Sequence, residues 1–273
     1  MRRLAKLPDW LIYIVVLAAL VLAADTRRLN ADAPAPPPPL PGEEATPLSP
    51  LSPFNAARIV KIPAIGGRFA TAFSIGEAGF WLTAQSAIKD CGRIAIIVAA
   101  GRGAEAKAVT APGGQLALLS TDGGEPPLPL APGARSGEDS FIAGFPQGSP
   151  GEAAVRLLGE SYLGDHRRGD LAQPDLAWVE IGRTDGLIGR LDGMEGAPVF
   201  DGMGRVQGVL IEQSPRRGRL YAAPVSTVRQ AMAMAKVAPV TQPDGEPITT
   251  DNYGRAADAL RRDLRVVQLW CGD

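Results

Sequence analysis

The pattern of apolar and polar positions divides the chain into three stretches. An unbroken apolar run from Trp10 to Ala24 comes after a start carrying Arg2, Arg3 and Lys6. Nine of the twenty residues from Pro34 to Pro53 are proline, which opposes helix and sheet and favours extended polyproline II. From Arg58 onward, short apolar runs alternate with glycine and proline breaks: "RIVKI", "RFATAFSI", "GFWLTA", "RIAIIVAA" and "QLALL". After the breaker-rich "TDGGEPPLPLAPGARSGED" the pattern resumes in "SFIAGFP", "AVRLLGESYL", "LAWVEI", "APVF", "RVQGVLIEQ" and "RLYAAPV". These runs have the length and spacing of strands in a barrel or sandwich, in two halves joined near residues 121 to 139. Helical spacing is confined to two places. One is Val225 to Lys236, where Ser226 or Thr227 is a candidate cap; the other is Arg255 to Leu269, with Leu260, Leu264 and Val267 on one stripe.

Composition narrows this picture. The 32 glycines and 25 prolines favour turns and short strands, and 45% hydrophobic content suffices for a substantial core. Lys plus Arg number 28 and Asp plus Glu 29, so no strong field recruits nucleic acid. One histidine, His166, and two cysteines, Cys91 and Cys271, exclude ordinary Cys/His zinc spacings; no metal and no cofactor is implied. The N-terminal run reads as a membrane-targeting segment. At helical rise its length is about 22 Å against a hydrocarbon core of about 30 Å, so an uncleaved anchor and a removed signal both remain open. Trp10 at the boundary suits an interfacial anchor, whereas Val21-Leu22-Ala23 suits a cleavage site. Either places the remainder of the chain outside the cytoplasm, with the Pro-rich tract as a spacer.

Four segments then carry a resemblance. "ATAFSI" and "GFWLTAQSAI" are similar to the GTGF strand and the adjoining G-x-x-[LV]-T-A-x-H-x-[VI] segment of trypsin-like serine proteases, especially their bacterial, HtrA-like branch. Ser86 stands at the histidine. "GQLALL" resembles D-[LIV]-A-L-L, with Gln115 at the aspartate; "EDSFIAGFPQG" resembles the G-[YF]-P-x-G strand that opens the second barrel. "GMEGAPVFDGMGRVQGVLIE", with the later "LYAAPVSTV", resembles G-N-S-G-[GA]-P-V-[FL]-[DN]-x-x-G-x-[VL]-[VI]-G, with Glu195 at the serine. The likeness spans roughly residues 56 to 235. It implies an all-β, chymotrypsin-like fold of two six-stranded antiparallel β-barrels with a C-terminal helix, preceded by the membrane segment and Pro-rich linker. The expected boundaries are 1–25 for the anchor or signal, 26–53 for the linker, 54–125 and 126–236 for the barrels, and 237–273 for the tail.

In that family's mechanism a serine attacks a carbonyl, histidine shuttles the proton and a buried aspartate orients the imidazole. Ser86 cannot shuttle a proton near neutrality, and Gln115 carries no charge to stabilise an imidazolium. His166 lies in the polar "GDHRRGD" and is a poor candidate base. Glu195 as a nucleophile on a peptide would give an anhydride with no base beside it. The expectation is an inactive protease homologue, an exported, membrane-tethered pseudoprotease that binds a protein or peptide of the cell envelope. Its location would be the inner membrane, single-pass, with a periplasmic domain. The alternative is an active serine-type peptidase or other hydrolase with a non-standard catalytic set. By resemblance, the amides of Gly193 and Glu195 form the oxyanion turn, and the Glu195 carboxylate either folds back onto those donors or faces solvent. Val209, Leu210, Ile211, Ala222 and Ala223 fall on strands flanking the family's specificity pocket, either as a remnant peptide groove or as core. In an oxidising compartment Cys91 and Cys271 either form a disulfide, pinning the C-terminal helix to the first barrel, or remain separate buried thiols.

Overall fold

The computed structural model describes residues 9–29, 53–63, 66–77, 79–109, 114–163, 173–214, 218–238 and 245–272. The Pro-rich tract before Pro53, the charged start of the chain and His166 lie outside the described residues. The chain forms two units, one up to Pro50 and one from Leu51. The first contains a helix, α1 (Asp9–Leu29), on which Trp10, Tyr13 and Leu17 are exposed. Among the described residues no helix is long and apolar enough to cross a membrane.

The second unit holds two closed six-stranded barrels. Strands β1 (Ile59–Lys61), β2 (Arg68–Gly76), β3 (Phe80–Ala84), β4 (Arg93–Ala99), β5 (Arg102–Ala108) and β6 (Leu116–Ser120) come first in the chain. Next come β7 (Asp139–Gly144), β8 (Gly151–Leu163), β9 (Gln173–Arg183), β10 (Pro198–Phe200), β11 (Val206–Ser214) and β12 (Arg219–Pro224). Helices α2 (Val225–Met234) and α3 (Tyr253–Arg262) and a last strand, β13 (Val266–Gly272), complete the chain. The second barrel closes in the order β10-β11-β12-β9-β8-β7, wholly from neighbouring sequence. The first runs β5-β4-β13-β2-β3-β6 and closes by pairing β5 with β6, while β1 adds to the outer edge of β5.

Alternation along β2 explains why the two barrels form one body. Ala70 and Ala72 point into the first barrel beside Trp81, Ile96 and Leu269. Phe73 and Ile75 belong to a core shared with Phe141, Phe200, Val206 and Val209 of the second barrel. A strand buried on both faces reads as a near-continuous apolar run, as "ATAFSI" does. The interior of the second barrel is filled by Ile142, Val155, Trp178, Val199 and Leu210. Helices α2 and α3 cover the shared core through Val228, Ala231 and Met232, and through Ala256 and Ala257.

The C-terminal segment differs from its expected form. The helix ends at Arg262 rather than near Leu269: Leu264 takes a positive φ of 51°, and the Arg265 amide reaches back to the Leu260 carbonyl. "VVQLW" is β-branched and aromatic, and as β13 it pairs with β2 on one side and β4 on the other. The tail is therefore not an appendage but a central strand of the first barrel. Cys91 and Cys271 do form a disulfide, with Cα atoms 5.3 Å apart and a sequence separation of 180. It pins this strand, not a helix. Helix α2 also lacks the expected hydroxyl cap: Pro224 is its N-cap residue, and Ser226 and Thr227 lie inside the first turn.

Candidate active site

The two barrels leave between them an open cleft of about 700 Å³, lined by residues of both. From the first barrel come Arg68, Phe69 and Ala70 of β2, and Ser86 and Ala87 from the 3-10 turn Gln85–Ile88 just after β3. From the second come Gln147, Arg190, Asp192, Gly193, Glu195, Ile211, Glu212 and Gln213. Ser86 and Glu195 thus face one cavity. Gln115 stands just before β6, and its carbonyl accepts from the Gln85 amide at 2.8 Å, which brings the third of the expected positions beside the first.

The turn 192–196 depends on glycine at two points. Gly193 has φ +95°, and a Cβ there would meet the Phe145 carbonyl oxygen at 2.7 Å. Gly196 has φ +87°, and its Cβ would collide with the Thr83 hydroxyl and the Thr71 carbonyl. Thr71, fully buried on β2, holds the turn from the other barrel. Its amide donates to the Glu195 carbonyl at 3.0 Å and its hydroxyl to the Gly193 carbonyl at 2.8 Å, while that hydroxyl accepts from Phe145 N at 3.1 Å. Thr83 fixes Thr71 in turn by donating to its carbonyl at 2.7 Å. Met194 is completely buried beneath the turn. Sequence reasoning missed Thr71 as a site residue, although it is the polar member of an otherwise apolar "ATAF".

On this scaffold the Glu195 side chain folds back: Gly193 N–H donates to Glu195 Oε2 at 2.8 Å. Of the two arrangements open from sequence, the structure has the carboxylate folded back onto its own turn. Asp192 pairs with Arg190 at 2.8 Å. The Asp192 hydrogen bond and charge, with Glu195 adding to them, hold the Arg190 pKa above its ordinary value.

The neighbouring loop is braced from within. Gln147 Nε2 donates to the carbonyls of Ile188 and Arg190 at 2.8 and 2.9 Å, and Leu191 N donates to Gln213 Oε1 at 2.9 Å. Side chains of the chain itself thus take up donors and acceptors around the mouth of the cleft. Of the five groove residues expected there, only Ile211 lines the cleft. Val209, Leu210, Ala222 and Ala223 of β11 and β12 are instead buried in the cores. The wall continues through Glu212 and Gln213.

Gln115 has a partner that the sequence did not disclose. Its Nε2 donates to Oδ1 of Asp175, a residue with no exposed surface near the start of β9. An aspartate at position 115 would set two acids against each other in a buried space, whereas an amide supplies a donor. No cluster of three or more His, Cys, Asp or Glu that could hold a metal ion occurs among the described residues.

Two closed antiparallel barrels, with a glycine-shaped donor turn facing a cleft at their junction, define the class of chymotrypsin-like proteins. A model of the trypsin-like peptidase domain matches residues 70–209, about half of the chain, and the chain belongs to that family. Among solved structures it is similar to the inactive form of Rv3671c from M. tuberculosis H37Rv, at 20% identity and a TM-score of 0.53, covering 68% of this chain and 87% of that one. The active form of the M. tuberculosis protease gives 19% identity and a TM-score of 0.51, covering 73% and 97%. The HtrA-type protease AlgW, solved with a decapeptide, gives 18% and 0.50, covering 61% and 51%. At these identities the likeness is one of fold. No curated protein matches the chain significantly.

Proposed function

We propose that this chain is a pseudoprotease: a trypsin-like domain that binds a protein or peptide segment in the cell envelope without cleaving it. One observation carries the reading. The position of the nucleophile holds Glu195, and its carboxylate takes the Gly193 amide that a substrate's developing oxyanion would need. Ser86 at the position of the base supplies no imidazole, and Gln115 is committed to Asp175. The open cleft with Ile211 and Phe69 on its walls supports recognition. Export is supported by the Cys91–Cys271 disulfide, which persists in oxidising compartments, and by the charged start and apolar run of the N-terminus. In this reading that run directs the protein to the inner membrane, as a retained anchor or a removed signal, and with the anchor retained the proline tract spaces the domain from it.

The test uses the full chain in its native membrane, with a photo-crosslinking residue at Ile211. The expected result is a discrete crosslinked partner together with no turnover of unfolded casein. Turnover that survives purification and is abolished by Ser86→Ala contradicts the proposal.

A further inference from the structure

The bond between Glu195 and Gly193 also indicates what chemistry the cleft receives. We infer that it binds the C-terminal carboxylate of a peptide, which displaces the Glu195 side chain from the turn. The inference rests on the reading of the cleft as a binding site. An internal peptide carbonyl is neutral, and to reach the Gly193 amide it must replace an ionised acceptor with one whose hydrogen bond is about half as strong. A ligand carboxylate exchanges like for like.

The same cleft holds a cation free to favour that exchange. Arg190 is engaged by Asp192 at 2.8 Å, but Arg68 has no acidic partner among the described residues. Its guanidinium donates to the Lys89 carbonyl and approaches the sulfurs of Cys271 and Cys91 at 3.4 and 3.9 Å. Those contacts steady the group at the cleft wall without neutralising it. Arg68 and Gly193 line the same cleft, so a carboxylate bound there has a backbone donor and a positive charge within one cavity. Upstream residues of such a peptide run along Ile211, Glu212 and Gln213, which form the second-barrel wall.

The experiment compares retention of two randomised decapeptide pools on the immobilised full-length chain, one with free C-terminal carboxylates and one amidated. The free-acid pool is expected to bind about tenfold more tightly than the amide, a charge-assisted bond's worth. Glu195→Ala, which removes the internal competitor, should tighten the acid pool by about a further tenfold. Because the freed Gly193 N–H then also donates to a neutral carbonyl, the amide pool should tighten too but stay the weaker of the two. Arg68→Met should weaken the acid pool while leaving the amide pool unchanged. A gain of binding cannot come from misfolding, so the glutamate variant stays informative if the arginine variant is unstable. Equal binding of acid and amide, to wild type or to Glu195→Ala, overturns the inference while leaving the binding reading intact. Binding of neither pool, to wild type or to Glu195→Ala, overturns both.

Discussion

The two barrels are built on one plan but closed differently. The second is assembled from six strands that succeed one another between Asp139 and Pro224. The first takes five strands from residues 68–120 and its remaining one, β13, from the end of the chain. Closure at a distance carries a larger entropic cost than closure by hairpins, and the first barrel carries devices that the second lacks. The disulfide fixes β13 covalently, and α3 is docked on the second barrel by Arg261. That guanidinium bonds Glu152 at 2.9 Å and the Gly144 and Gly151 carbonyls, with side-chain exposures of 8% for Arg261 and 11% for Glu152. A barrel of this kind requires a strand at each position, wherever in the sequence that strand lies. The cleft's first-barrel wall, which carries Arg68 and Ser86, consequently depends on the C-terminus.

Removing residues 266–273 tests this most severely. Val266, Val267, Leu269 and Trp270 are almost completely buried, and at about 1.5–3 kcal/mol each their loss is on the order of 8 kcal/mol, comparable with the whole stability of a domain. Calorimetry should show no cooperative transition for the first barrel. Arg261→Met leaves Glu152 buried without its ion partner and should cost about 3–5 kcal/mol, whereas the double change to methionine at both positions should recover most of it. Denaturant unfolding measures both. Reducing the disulfide, or Cys271→Ser, should cost about 2–4 kcal/mol, and hydrogen exchange should show the loss in β2, β4 and β13 before β7 to β12.

The smallest expected effect concerns the segment that joins the barrels. Burial and the Asp263 charge raise the Glu125 pKa, with Arg265 opposing them. A carboxyl whose folded pKa is raised contributes stability below its unfolded value that is lost as pH rises through the folded one. Glu125→Gln should therefore raise the Tm slightly at pH 7 and leave it unchanged at pH 4, as thermal scans across that range would show.

The second barrel was legible in the sequence because its strands carry β-branched and aromatic residues between clear breaks. The first was legible only in part. Arg102–Ala108, "RGAEAKA", has the composition of a helix or loop, yet pairs with β4 and β6 as β5 because small residues suit its crowded position: Gly103 lies against Ala95 and Ile62. The last strand was hidden by a helical stripe of leucines that continues across the Leu264 turn, where a positive φ in a leucine leaves no compositional trace. At the site, the motifs located Ser86, Gln115, Gly193 and Glu195. Thr71, Gln147, Gln213 and Asp175 escaped because their roles are hydrogen bonds across long sequence separations, which no local pattern encodes.

In this reading the cleft retains a donor turn but no attacking oxygen served by a base. Mass spectrometry of the folded full-length chain, after exposure to a fluorophosphonate probe, measures that directly. An unmodified mass at every serine is expected, with Glu195→Ala equally unlabelled. Stoichiometric modification of Ser86, or of any serine facing the cleft, would contradict it.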